Sequence, residues 1–137
     1  MATKQQIIDF LRTDFPQNNC TVDAVGGKSS TVRHKIGVDE LRPGGTVSGP
    51  VLMTVADLAL YVAILGEIGI VPLAVTTGMT VNFLRKPAPE NDVIGVCRLL
   101  KIGRTLAVGE VTLYSEGVEA PVAHAIGTYI IPSTRED

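Results

Sequence analysis

The run Pro50-Val51-Leu52-Met53-Thr54-Val55-Ala56-Asp57-Leu58-Ala59-Leu60-Tyr61-Val62-Ala63-Ile64-Leu65 decides how this chain folds. Wound as a helix it is apolar on nearly every side, the pattern of a helix surrounded by protein rather than lying on a surface. It carries one charge, Asp57. Upstream, residues 41–49 are rich in Gly and polar residues and contain Pro43. Pro50 suits a first helical turn because its missing N–H would be unpaired there anyway, so the helix is predicted to begin at Gly49 or Pro50. Downstream, residues 66–72 read as its break, with Gly66, Gly69 and Pro72.

Working outward, four segments after the helix have strand character: residues 73–84, 93–102, 106–114 and 122–131. Turn signals separate them, first Lys86 to Asn91, then Gly103, then Ser115-Glu116-Gly117. Connections this short predict antiparallel neighbours. Before the helix, residues 31–38 alternate strictly, with Val32, His34, Ile36 and Val38 on one face, and are predicted as a first strand. Thr3 and Gln6 have the spacing of a capping box, and Ile7, Ile8, Leu11 and Phe15 recur at helical spacing, giving a short N-terminal amphipathic helix. The class is α+β. Five or so antiparallel strands and one wholly apolar helix fit together if a twisted sheet wraps the helix, since a flat sheet covers only one stripe of it. The lengths agree: sixteen helical residues span about 24 Å, comparable to a strand of seven or eight residues.

The 137 residues are read as one domain, 1–137, with no repeat or low-complexity segment. A hydrophobic content of 45% against 19% charged residues is rich for one small core, so part of the apolar surface is expected to be buried between subunits. The net charge of -2 offers no field for nucleic acid or an anionic membrane. Cys20 and Cys97 are too few and too far apart for a disulfide framework. With no signal-peptide pattern at the N-terminus, the expected setting is cytoplasmic. A membrane span is not expected either, because the stretch from Val51 to Val75 contains Asp57, Glu67, Gly69 and Pro72.

An isolated carboxylate in an apolar helix is costly unless paired, hydrogen-bonded or protonated, so Asp57 is the first candidate for chemistry. Burial would push its pKa up, toward a value useful to a general base or nucleophile. The alternative is a structural Asp57 at a subunit interface. A helix N-terminus presents unpaired N–H groups and partial positive charge, which suits a carbonyl oxygen becoming an oxyanion. Gly49 is the natural donor, because it admits a ligand close to the backbone while Pro50 has no N–H to give. Read blandly, Gly44, Gly45, Gly49 and Pro50 only shape a turn.

The string Gly45-Thr46-Val47-Ser48-Gly49-Pro50, followed by Ala56-Asp57-Leu58-Ala59, resembles the hotdog thioesterases of the phenylacetate-pathway type. Their signature is Asn-x-x-Gly-x-x-His-Gly-Gly and then an apolar helix carrying Asp. The resemblance continues through residues 76–88 and Gly103-Arg104-Thr105-Leu106-Ala107, covering about residues 30–131. It implies a hotdog fold, an antiparallel sheet around a long central helix, and hydrolysis of acyl-CoA. It also implies that Gly49 is the oxyanion-hole donor, Asp57 the catalytic carboxylate, and Thr76 the hydroxyl that orients the attacking water. Ser48 stands where the family commonly has His, Pro50 replaces the second Gly, and Arg42 replaces the Asn that holds the thioester carbonyl. Arg42 could donate to that carbonyl or bind a carboxylate on the acyl group. Ser48, Arg85, Lys86 and Arg104 complete the candidate substrate contacts, the last three as partners for CoA phosphates or as solvated charges. No metal or cofactor is required. His34 and His124 lack ligand spacing and read as packed or surface residues.

A straight helix puts Gly49 and Asp57 about 12 Å apart along its axis, too far to serve one carbonyl. The resemblance implies a homodimer with antiparallel helices, in which Gly49 of one subunit faces Asp57 of the other, and a dimer of dimers (homotetramer) as the larger assembly. A competing reading is an acyl-CoA-binding hotdog protein without turnover, motivated by Arg42, Ser48 and Pro50. A hotdog hydratase would need a His beside the helix start, where there is none, and an acyl-responsive DNA-binding regulator would need a helix pair the chain has no room for.

Overall fold

Thr3 and Gln6 close the capping box reciprocally: the Gln6 N–H donates to Thr3 Oγ1 at 3.1 Å and the Thr3 N–H to Gln6 Oε1 at 2.9 Å. The helix they start, α1 (Lys4–Asp14), buries Ile7 and Leu11. In the computed structural model, which describes residues 1–132, it is followed by strands β1 (Cys20–Gly26) and β2 (Ser29–His34) and a 3-10 turn at Val38–Glu40. Then come β3 (Leu41–Arg42), β4 (Thr46–Val47), the long helix α2 (Gly49–Ile68), and strands β5 (Val75–Phe83), β6 (Val93–Ile102), β7 (Leu106–Ser115) and β8 (Ala123–Ile130). The last five residues of the span read as one domain lie outside the described residues. Six strands form one antiparallel sheet in the order β1-β2-β6-β7-β8-β5, and β3 and β4 form a small hairpin of their own. The sheet curls around α2, eleven of whose twenty residues are buried. This is the hotdog fold.

α2 begins where Gly49 and Pro50 place it and is longer than expected. Gly66 does not break it: this residue is buried inside the helix, where an added Cβ would stand 2.6 Å from Val25 Cγ2 of β1. Its missing side chain lets the strand approach the helix. The stop comes at Gly69, whose φ of 94° only glycine adopts easily and whose N–H returns to Leu65 O at 2.9 Å. α2 is long and apolar enough to cross a membrane, contrary to the expectation from its flanks, but here it fills the core.

Three further expectations are corrected. The first strand ends at His34 rather than Val38, because the chain leaves the ladder at Lys35 and puts Val38, 85% exposed, into the 3-10 turn. β1 was not anticipated; it has a bulge between Val22 and Ala24, and its burial does not alternate, so no period of two marked it. β5 and β6 are not neighbours either. β5 pairs with β8 at one end of the sheet, and the connector to β6 crosses the ends of β8 and β7. Arg85 Nη1 pins that connector to Pro121 O at 2.7 Å, and the Ala88 N–H donates to Ser115 Oγ at 2.9 Å. β5 is left as an edge strand with both faces largely exposed, Phe83 being 54% accessible.

Candidate active site

α2 turns Asp57 toward the end of the sheet where β5 meets β8. Thr76 of β5 and Tyr129 of β8 are register partners there, and a bulge between Thr76 and Gly78 resets the strand just beyond them. Both hydroxyls converge on one carboxylate oxygen. The Tyr129 hydroxyl donates to Asp57 Oδ1 at 2.8 Å, and Thr76 Oγ1 donates to the same oxygen. Asp57 Oδ2 has no hydrogen-bond partner among the described residues. Within one chain Asp57 is half-buried, not enclosed as its apolar neighbours suggested, because the β5 side of the helix is open.

Tyr129 was not singled out from the sequence. It is 3% exposed, and burial pushes its phenol well above the usual range, with the Asp57 charge adding to the effect. It therefore stays a donor. Its ring stacks on Tyr61, centroids 6.2 Å apart, and Tyr61 donates to Pro72 O at 3.1 Å. The only sequence signal for Tyr129 was a polar-tipped aromatic on an inward strand position, where a buried hydroxyl needs a partner.

These residues line a cleft of about 650 Å³ between α2, the β5–β8 end of the sheet, and the end of α1 with the loop after it. Asp57, Thr76 and Tyr129 stand on one wall; Phe10, Phe15 and Asn18 stand on another. His34, read as a packed residue, also lines this cleft. His124 lies on the other face of the sheet, its Nε2 3.0 Å from Glu110 Oε1. Among the described residues no group of His, Cys, Asp and Glu could hold a metal.

The other candidates are not in this cleft. Gly49 sits at the start of α2 with its N–H unpaired among the described residues and the Phe83 ring against its Cα, where an added Cβ would be 3.3 Å from Cζ. The Ser48 hydroxyl caps α2, accepting from the Val51 N–H at 3.4 Å. Arg42 is exposed on the β3–β4 hairpin, Arg85 and Lys86 on the connector, and Arg104 on the β6–β7 turn. One chain thus unites Asp57 with Thr76 and leaves Gly49, Ser48 and the four basic residues elsewhere.

A family model described as the thioesterase superfamily matches residues 44–121. No curated protein matches the chain. Among solved structures, a candidate thioesterase from Silicibacter sp. is 44% identical over 96% of this chain and 92% of its own, with a TM-score of 0.88. The PaaI protein of the E. coli phenylacetic acid degradation operon is 16% identical over 93% and 92%, with a TM-score of 0.74. A hypothetical thioesterase from Streptococcus pneumoniae, solved with coenzyme A, is 19% identical over 93% and 98%, with a TM-score of 0.77. The last two show likeness of fold alone.

Proposed function

This chain belongs to the thioesterase superfamily, and from that membership we propose that it hydrolyses acyl-CoA thioesters to a carboxylic acid and free CoA, with Asp57 as catalytic carboxylate. The observation that carries the reading is the Asp57 side chain itself: it lines the cleft, one of its oxygens is held by two hydroxyls, and the other has no partner among the described residues. Such a group is positioned to act on a reacting atom through Oδ2. Acting as base, Asp57 takes a proton from a water whose oxygen bonds to the thioester carbon. The carbonyl electrons move onto oxygen, and collapse of that intermediate breaks the C–S bond and releases the thiolate, which then takes up a proton. Acting as nucleophile, Oδ2 makes the bond itself and water cleaves the resulting anhydride. Thr76 spends its proton on Asp57 and keeps oxygen lone pairs that can accept from the water. The mechanism needs no metal or cofactor.

The oxyanion donor is the Gly49 N–H of a second subunit. The bare β5 edge and the outward residues of α2, such as Pro50 and Met53, supply the surface for that homodimer, with a dimer of dimers as the larger assembly. Coenzyme A in the Streptococcus neighbour supports a CoA ester as substrate. Arg85, Lys86 and Arg104 are assigned to its phosphates, and Arg42 and Ser48 to the region of the thioester carbonyl. A reducing cytoplasmic setting fits Cys20 and Cys97, both free, with burial pushing each thiol up to about 12.

Asp57→Asn preserves shape and removes the base or nucleophile, so turnover of acyl-CoA should fall at least about 100-fold, read as released thiol, with the fold intact by circular dichroism. Activity within a few-fold of the parent would remove Asp57 from the mechanism. A second reading, acyl-CoA binding without turnover, draws on Ser48 being engaged as a helix cap and on Arg42 standing exposed. Binding of an acyl-CoA panel with no thiol released would establish it instead.

A further inference from the structure

Beside the cleft that holds Asp57 lies a second cavity, a groove of about 390 Å³ between α1 and β1. Phe15 and Asn18 line both, so they form a wall that the two spaces share. Along α1 and its C-cap, Ile8, Leu11 and Phe15 recur at helical spacing on the groove, and Cys20 and Val22 face it from alternate positions of β1. The groove is therefore apolar on both sides. Local chemistry fixes the shared wall. Pro16 disfavours the helical conformation in the residue before it, and Phe15 leaves α1 with φ -139° and ψ 56°. The Phe15 N–H donates to Leu11 O at 2.9 Å, and its carbonyl accepts from the Asn18 N–H at 3.1 Å. The Asn18 side chain is tied to the backbone of Cys20, donating to its carbonyl at 3.3 Å and accepting from its N–H at 3.0 Å. None of these bonds involves the Phe15 ring. That ring, 36% exposed, is the one large apolar side chain in the wall.

An acyl chain growing along an apolar cleft gains about 4-fold in affinity for each methylene it takes out of water. The gain stops where the cleft stops, and a chain too long for it must fold back or push a wall aside. We propose that the Phe15 ring is the partition that ends the acyl cleft, setting the longest acyl chain this protein accepts and closing the groove between α1 and β1 to it. The proposal rests on the thioesterase reading and adds a chain-length limit to it. Asp57 and Thr76 act on the thioester, Phe10 and Leu58 flank the acyl chain, and Phe15 meets its far end. With the ring removed, the two spaces join, and the chain runs on past Asn18 between Leu11 and Val22. Phe15 touches no reacting atom and is a specificity residue.

The test uses straight-chain saturated acyl-CoAs of increasing length. In the parent, kcat/KM should rise with length, pass an optimum and fall. In Phe15→Ala the optimum should move at least two carbons longer, and the ratio of kcat/KM for that longer chain to kcat/KM for the parent's best chain should rise about 10-fold or more. Phe15→Leu should shift the optimum the same way by less, and it decides the matter if the Ala variant does not fold. The same series is titrated calorimetrically into Asp57→Asn and into Asp57→Asn with Phe15→Ala, so the length limit is also read without turnover. An acyl-CoA with a diazirine at its far end, of the length the double variant prefers, should on illumination label Ile8 to Arg12 or Cys20 to Val22 in that variant. An unchanged length preference in both turnover and binding, or label confined to the cleft residues, overturns the proposal. A length limit in binding that Phe15→Ala extends, without hydrolysis by the parent, would uphold it and count against the thioesterase reading alone.

Discussion

Asp57 and Tyr129 stand 72 residues apart in sequence and 2.8 Å apart in the structure. Removing the phenol while keeping the ring isolates what that contact does. Tyr129→Phe retains the stack on Tyr61 and takes one of two donors from Oδ1. A hydrogen bond to a charged group contributes about 1.5–3 kcal/mol, part of which Thr76 can recover, so kcat is expected to drop about 10-fold with KM nearly unchanged. Steady-state kinetics beside thermal unfolding checks it: a loss that appears in stability alone would make Tyr129 structural. Asp57 was legible because a single charge in an apolar helix has few explanations, and Gly49 because the residue after it cannot donate. Thr76 came only through family likeness. Tyr129 offered only its polar tip, since an inward aromatic on an alternating strand looks like core and its partner is set by the sheet's closure. His34 is packed, as its alternation predicted; what the sequence did not tell is that the face it takes borders a cleft.

Elements meet closely here because glycines make room. Gly109 of β7 and Gly127 of β8 are register partners, and Leu60 of α2 reaches in over both: a Cβ would stand 2.7 Å from its Cδ2 at Gly109 and 2.5 Å from its Cδ1 at Gly127. Gly127→Ala should therefore cost about 1–3 kcal/mol by overpacking. Adding Leu60→Ala should cost less in that background than in the parent, as denaturant melts of the four proteins would show. On the opposite face of the same strands, His124 and Arg98 bond the Glu110 carboxylate and hold its pKa below the usual range. A depressed carboxylate pKa contributes stability above its unfolded value and loses it as pH falls through the folded one. Glu110→Gln should then be less stable than the parent at neutral pH by no more than about 1 kcal/mol, since the group is partly exposed, and the difference should begin to shrink as pH falls below the ordinary glutamate value of about 4.3 and vanish only below the lowered folded one. α1, α2 and β6 to β8 were legible from their periods and turn residues. β1 was not, because its bulge and half-exposed faces erase the alternation.

At the scale of the molecule, the pairing of β5 with β8 could not be read from connection length. The connector after Phe83 is short in residues yet extended enough to cross two strand ends, whereas the β6–β7 and β7–β8 links are true hairpins. That pairing brings Thr76 beside Tyr129 and leaves Gly49 elsewhere, which is why the proposed site needs two chains. Mixing Asp57→Asn with Gly49→Pro subunits, each inactive alone, should restore activity up to about half the sites of the heterodimer, because one composite site keeps both intact residues. Absence of complementation in a verified heterodimer would place the site within one chain. The bare β5 edge has a further consequence, which is kinetic. If the proposed homodimer forms through it, a newly folded chain carries an unsated strand edge until it meets a mate, and that meeting is second order. At about 1 μM chain and an ordinary association rate constant of about 10⁵–10⁷ M⁻¹s⁻¹, the wait is about 0.1–10 s. During it the edge is open to any other extended segment. In the proposed dimer, slow synthesis would lengthen the exposed interval of each chain, and abundance would shorten it.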